Sequence, residues 1–495
     1  VFVGSFSRNF VRTRKILKVK VSFKSSLFRA IFCLILCNLH AIHSSLQIPS
    51  RFGVFSASGT SKAPGESLVS SPHSVSSHNS AQSAQRVIAE LRELAALTST
   101  PNGAQRLAWG PVWRTAREWL LGKISAIGLS VSRDAAGNLW ATLPGASDKT
   151  VIVGSHVDSV PNGGWLDGTL GVVTALEAVR RYAAASEHPV TLKLVDWTDE
   201  EGARFGNSLF GSAAAAGILK VEELRGHADK SGVRIEDALR ENGIELDRMP
   251  DAHASLKKIN AKAYLEFHIE QGGVLESMNK SAGVVLGTFG LQRHMLRFVG
   301  QAAHSGATPI HMRRDAFLAA ASTALECREI ARRHSKPGAG VVCTTGVVKV
   351  EPGFVTAIPG AAEISVDQRA LDADVLAVML REAQEASRRF AAENNVTVEW
   401  SHLFSIEPRP FNPALLQLCE DSVREITGDA PKLPSGPLHD AAQMVPHMPV
   451  VMMFTYSSRG LSHCKEEDTP EEHLEKAIRA FLLLVEKTIS LVAHQ

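Results

Sequence analysis

Between Thr150 and Trp197 the chain alternates apolar runs with an amphipathic one: "TVIVGS", then "LGVVTALEAVRRYAAA", then "VTLKLVDW". An apolar run without polar alternation predicts a strand buried on both faces, and the stretch between has helical periodicity. Strand, helix and strand in that order predict parallel pairing through a crossover, in a sheet covered by helices on both sides. Functional residues in such sheets gather beyond the C-terminal ends of strands. His156 and Glu200 both lie just past such ends.

At 495 residues the chain is too long for one hydrophobic core. Two amphipathic segments, "RVIAELRELAAL" and "GPVWRTAREWLLGKISAIG", precede the first apolar strand, and Gly128 ends the second. From Ser281 to Ser401 the pattern changes to β-α-β-β-α-β, the order of a small split-βαβ domain. The tail returns to helix, strand and a long helix. The expected fold is α/β: a catalytic domain with a mostly parallel sheet, built from residues 86–280 and 402–495. A ferredoxin-like lid or dimerisation domain, 281–401, interrupts it.

Residues 1–85 stand apart. Basic residues precede "AIFCLILC", Ala30–Cys37, which is too short to span a bilayer. The layout is that of a signal peptide without a small-x-small cleavage site. A first residue of Val fits a fragment boundary or an over-extended start equally well. The Ser-rich stretch Ser56–Gln85 predicts a disordered linker.

Composition narrows the function. The formal net charge is +2 and no basic face carries interleaved aromatics, which argues against nucleic acid. No run is long and apolar enough for a membrane span. The six cysteines include no CxxC pair, so neither a thiolate metal site nor a disulfide framework is signalled. That usage suits a reducing compartment, and the expected location is the cytoplasm.

The polar residues that interrupt the apolar pattern carry the chemistry. "GSHVDSVPNGGWLDG" holds His156, Asp158 and Asp167. In extended chain His156 and Asp158 project to one side. A ligating histidine commonly gives its second ring N–H to a carboxylate, a part that Asp158 suits. Asp167 suits a bridge between two cations. A buried, hydrogen-bonded histidine and an N-cap aspartate account for the same stretch if it is taken alone. "DWTDEEGARFG" puts Asp199, Glu200 and Glu201 after a strand, as a solvated turn or as one ligand beside one free base. "AYLEFHIEQGGVLE" places His268, Glu270 and Gln271 in a strand-like run, and His463 sits in the loop "SSRGLSH". Together the set offers five O and N ligands for two cations.

These motifs, with "GQAAHSGATPIHMRRDA", "AIPG", "DQR" and "SGPLHDAA", resemble the metal-dependent amidohydrolases. That family includes N-carbamoyl-L-amino-acid hydrolases, allantoate and ureidoglycolate amidohydrolases and related ureido hydrolases, kin of aminoacylases and zinc carboxypeptidases. The resemblance runs from about Arg86 to the C-terminus and implies a zinc-exopeptidase-like catalytic domain. It implies that His156, Asp167, Glu201, His268 and His463 hold two divalent ions (Zn, Mn, Ni or Co), with Asp167 bridging. By the same resemblance Glu200 is the catalytic base and His304 a second catalytic group. Asp158 orients a ligand, and Gln271, Arg369, His439 and Thr356 bind substrate. The implied assembly is a homodimer through the inserted domain, with His304 serving its own cleft or its partner's. Two departures stand out. Thr356 and Ala357 replace the family's Asn-Val before "IPG", and Pro437 and Leu438 replace a glycine-permissive pair before His439.

The expected reaction is hydrolysis of the C–N bond of an N-carbamoyl-L-amino acid. Allantoate or ureidoglycolate cleavage, an aminoacylase or peptidase with the same metal pair, and an inactive metal-binding scaffold are the alternatives. Gln271 and the "RRDA" segment favour the carbamoyl type.

Overall fold

The computed structural model describes residues 77–336 and 340–495. The start of the chain, with its basic and apolar runs and most of the Ser-rich stretch, lies outside the described residues. Among them, no helix is long and apolar enough to cross a membrane.

In the first part of the larger unit the long helices are α1 (Ser77–Thr98), α2 (Pro111–Ile127) and α3 (Thr169–Ala183). The strands are β1 (Ser130–Arg133), β2 (Leu139–Leu143), β3 (Thr150–His156), β4 (Thr191–Trp197), β5 (Ala261–Ile269) and β6 (Ala282–Thr288). Helix α1 corrects the expected linker boundary. It begins at Ser77, and Ser83 and Ala84 are already buried. Pro111 at the start of α2 has no N–H to lose, and Gly128 ends it in the left-handed conformation.

The chain then builds a separate antiparallel sheet: β7 (Gly290–Val299), α4 (Ala316–His334), β8 (Val342–Thr344), β9 (Val348–Glu351), β10 (Ala361–Ala370), α5 (Ala373–Glu393) and β11 (Thr397–Ile406). Its order is β8-β10-β7-β11, with β9 also on β10. That is the expected split-βαβ arrangement, with moved boundaries. β6 belongs to the large sheet and β11 runs to Ile406, so the lid begins after Thr288 and ends several residues beyond Ser401. Asp315 and Asp372 cap α4 and α5 by accepting two backbone N–H groups each.

The chain returns through β12 (Arg409–Pro410), α6 (Pro413–Thr427), β13 (Lys432–Ser435), β14 (Val450–Thr455) and α7 (Glu471–Ala493). The large sheet has nine strands in the order β12-β6-β14-β5-β3-β4-β2-β1, with β13 on β6. Its centre, β14-β5-β3-β4, is parallel, while β2 and β1 on one side and β6 and β12 on the other run antiparallel to their neighbours. Helices α3 and α7 cover one face, where Phe267 stacks on Phe481 with ring centroids 5.0 Å apart. Trp197, Tyr264 and Phe454 face a second apolar cluster on the other side. The central strands are buried on both faces, which is why they read as continuous apolar runs.

Candidate metal centre

Three parallel strands end at one place. His156 is the last residue of β3, His268 is near the end of β5, and Asp199–Glu201 follow β4. Asp167 lies in the loop between β3 and α3, and His463 in the loop between β14 and α7.

The five expected ligands come together as two groups that share one residue: His156, Asp167 and His268, and Asp167, Glu201 and His463. One oxygen of Asp167 is 3.1 Å from Nε2 of His268 and 3.8 Å from Nε2 of His156. Its other oxygen is 3.4 Å from Nε2 of His463, which in turn is 3.3 Å from a Glu201 oxygen. Asp167 thus turns one oxygen toward each group. Gly168, at φ +65°, makes this approach possible, because a Cβ there would meet the His156 ring within 2.5 Å.

The buried ring nitrogens test whether metal fits. Nδ1 of His156 lies 3.1 Å from the Asp158 carbonyl and Nδ1 of His268 lies 3.0 Å from the Ile269 carbonyl. Each Nδ1–H donates there, which turns Nε2 toward the site, as a free lone pair on His156 and as a nitrogen that an ion would strip of its proton on His268. Both Nε2 atoms are buried; that of His156 has no hydrogen-bond partner, and that of His268 meets only the Asp167 carboxylate. Two buried imidazole nitrogens aimed at a shared carboxylate are the donor set of a cation site. The residues fit divalent ions, and no cysteine is among them.

The charges agree. Burial opposes ionisation of Asp167, but the hydrogen bonds of His268 and His463 prevail and hold it well below the usual carboxylate range. His268 is held up to about 9 against its burial, chiefly by Asp167. His463 also rises to about 9 through Asp167. Burial drops His156 to about 4. Burial and the repulsion of Asp440 and Glu201 push Glu200 well above the usual range, and burial and Asp167 push Glu201 to about 8. Positive charge placed among these acids relieves that repulsion.

Asp158 departs from expectation. Its carbonyl, not its carboxylate, takes the His156 ring N–H. The carboxylate accepts the backbone N–H groups of Glu200 and Glu201, both at 3.2 Å. It therefore orients the acidic turn rather than the histidine. β3 stops at His156, so the two-residue alternation of extended chain does not carry to Asp158.

A cavity of about 260 Å³ opens at the site, lined by Glu200, Gln271, His439 and His463 and walled by Leu209, Pro437 and Leu438. Gln271 donates to Asp167 at 2.9 Å and lies 3.2 Å from His463. His439 is buried against His268 with both ring nitrogens unpartnered. The other expected substrate residues lie on the lid and do not line this cavity. Arg369 pairs with Asp367 at 2.9 Å and donates to the Gly436 carbonyl at 3.3 Å, beside the cavity wall. His304 and Thr356 are exposed on a short ladder that pairs His304 with Ala357. Nδ1 of His304 accepts the N–H groups of Gly306 and Ala307, which leaves Nε2–H as an outward donor.

Several supporting residues escaped the sequence reading. Glu266 accepts Ser155 Oγ, Tyr264 OH and the N–H of Ala441, next to His439. Its signal was an acid two residues before His268 in an apolar strand. Arg117 and Asp196 form a buried pair at 2.7 Å, and Asp196 also takes the N–H of Val157 beside His156. Glu467 and the fully buried Arg106, which donates to the Val157 carbonyl, had no sequence signal.

The chain matches the model for peptidase family M20/M25/M40 over residues 152–487. It is 36% identical to an N-carbamoyl-L-amino acid amidohydrolase of Geobacillus stearothermophilus, over 78% of this chain and 94% of that one. It is 30% identical to an allantoate amidohydrolase of Escherichia coli, over 77% and 92%. A crystal structure of an amidase of the hydantoinase/carbamoylase family from Burkholderia phymatum superposes with a TM-score of 0.72 at 30% identity, covering 83% of this chain and 98% of that one. The shared carboxylate, the paired histidines and the match across most of the described chain have one reading: this protein is a hydrolase belonging to peptidase family M20/M25/M40.

Proposed function

We propose that the protein hydrolyses the C–N bond of an N-carbamoyl-L-amino acid, releasing ammonia, carbon dioxide and the amino acid. The observation that carries this reading is Asp167 shared by two ligand groups, with Glu200 beside them and in neither. The carbamoylase and allantoate hydrolase relatives supply the ureido class. Two divalent ions, when bound, polarise the ureido carbonyl and make water at the site more acidic.

The chain's own residues do the rest. Glu200, held by the Asp158 clasp, takes the proton of the attacking water and passes it to the leaving nitrogen. His304 donates Nε2–H to the developing oxyanion from a closed lid or from a partner's lid. Arg369, at the edge of the cavity wall, offers a planar fork to the substrate carboxylate. Leu209, Pro437 and Leu438 give the amino-acid side chain an apolar wall. That wall favours a carbamoyl amino acid over allantoate, whose second ureido group would face it unpaired.

The reading includes a homodimer through the lid. Its edge strand β11 is largely exposed, and Ile310, Met312, Phe354 and Val355 stand out in solvent. Ammonia release from N-carbamoyl-L-amino acids, allantoate and ureidoglycolate, beside amino-acid release from N-acetyl amino acids, tests the function. Turnover of the carbamoyl acids is expected to lead. A lead for allantoate or for an acetyl substrate overturns the substrate, and no turnover of any with metal loaded overturns the enzyme reading.

A further inference from the structure

Glu467 lies four residues past His463 and is almost fully buried. One of its oxygens accepts the N–H groups of Leu166 and Asp167, at 3.1 and 3.0 Å. The other lies 2.9 Å from Oγ of Ser462, and that hydroxyl is also 2.9 Å from the Asp167 carboxylate. Its neighbour Asp468 accepts from the Trp165 indole at 3.2 Å. Two loops almost three hundred residues apart are therefore joined by one carboxylate. One loop carries the shared ligand Asp167 and the other carries His463.

The joint is built closely. A Cβ on Gly164 would lie 2.0 Å from the Glu467 carboxylate, so this glycine of the "NGGWLDG" stretch is the floor on which Glu467 rests. His156 and His268 need no such help, because strands β3 and β5 hold them. Asp167 and His463 sit on loops, and His463 is half-exposed at φ +56°.

We infer that Glu467 is a positioning residue that fixes Asp167 and His463 relative to each other, and that the ion held by Asp167, Glu201 and His463 depends on it far more than the ion held by His156, Asp167 and His268. This rests on the two-cation reading of the site. What the joint requires is an acceptor toward Leu166 and Asp167 and a hydrogen bond to Ser462. A glutamine meets both needs. Its carbonyl takes the two N–H groups, and its amide donates to Ser462 Oγ, whose proton goes to Asp167. An aspartate keeps the charge but is one methylene too short to span both ends.

Metal content after dialysis, together with metal titration of the apo chain, tests the inference without relying on activity. The wild type is expected to hold two Zn or Mn ions. Glu467→Gln is expected to hold two as well. Glu467→Asp and Glu467→Ala are expected to hold one firmly, with the second weakened about 10–100-fold. Melting in chelator separates this from general damage, since Glu467→Asp should melt near the wild type there. Two tight ions in Glu467→Asp overturn the inference, and so does equal loss in Glu467→Gln and Glu467→Ala. A wild-type chain that takes up only trace metal overturns the two-cation reading, and this inference with it.

Discussion

A carboxylate oxygen of Glu200 lies 3.7 Å from Nε2 of His156, yet Glu200 belongs to neither ligand group. Its neighbour Glu201 faces His463 instead. One turn, pinned by Asp158, thus sends two adjacent acids to different histidines. Glu200→Gln is expected to lower kcat by about 10²–10⁴-fold, the usual worth of a positioned base, with metal content unchanged. Glu201→Gln is expected to lose metal. Metal analysis beside steady-state kinetics checks both, and the opposite pattern reverses the two roles.

Metal uptake should expel protons at neutral pH. In the ion-free chain His268 and His463 titrate at about 9 and Glu201 at about 8, so all three are protonated at pH 7. His156, at about 4, is already neutral. Only deprotonated groups coordinate. Raising the pH toward 9 therefore strengthens binding and reduces the protons released per ion. Calorimetry in buffers of different ionisation enthalpy measures that number. A release that stays constant from pH 6 to 10 contradicts the assignment.

Arg369 and Arg293 both pair with Asp367, so the trio keeps one net positive charge near the cavity wall. Lysine cannot reproduce the planar fork. Arg369→Lys is expected to weaken kcat/KM for N-carbamoyl-L-amino acids by about tenfold or more, with little loss for the matching amides. Equal losses for acid and amide would mean that Arg369 only supports the Gly436 loop.

The exposed His304 gives a direct assay of lid exchange. Glu200→Gln and His304→Ala chains are each expected to be inactive. Mixed, they regain activity if the lid histidine enters a partner's cleft. Sedimentation of the same samples reports whether a dimer forms. A strictly monomeric, active wild type removes the exchanged lid from the mechanism.

Arg117→Met leaves Asp196 buried without its cation. Breaking a buried pair from one side costs about 3–5 kcal/mol. Urea unfolding of the metal-free chain is expected to show a loss of that order, and a loss under about 1 kcal/mol would show that Asp196 is rescued by its remaining hydrogen bond to Val157.

Of the residues that meet at this site, four were legible because they break a strong pattern. His156 ends an apolar strand, Glu200 and Glu201 follow one, and His268 interrupts one. Glu467 was not legible because "CKEEDTPEEHLE" offers several acids before a helix, and nothing local says which is buried. Arg106 and the Asp196 pair are hidden similarly, since their partners lie far away in sequence. The alternation rule failed at Asp158 because the strand ended two residues too early. The lid's edges moved because β6 and β7 abut with only Phe289 between them, and apolar pattern cannot tell which sheet each joins.

That junction also limits how the lid moves. The chain leaves through Thr288–Gly290 and comes back through Ile406–Arg409, and the two passages pair with each other on both sides of the gap: Leu291 with Ile406, and Thr288 with Arg409. A neck of two laddered strands resists sliding and twisting but folds across its own plane. Pro408, packed against Gly290, stiffens it further. The lid is therefore a door on a single strap hinge. Closure about such a neck would follow one fixed arc, and a substrate would have to lie on that arc already to be caught.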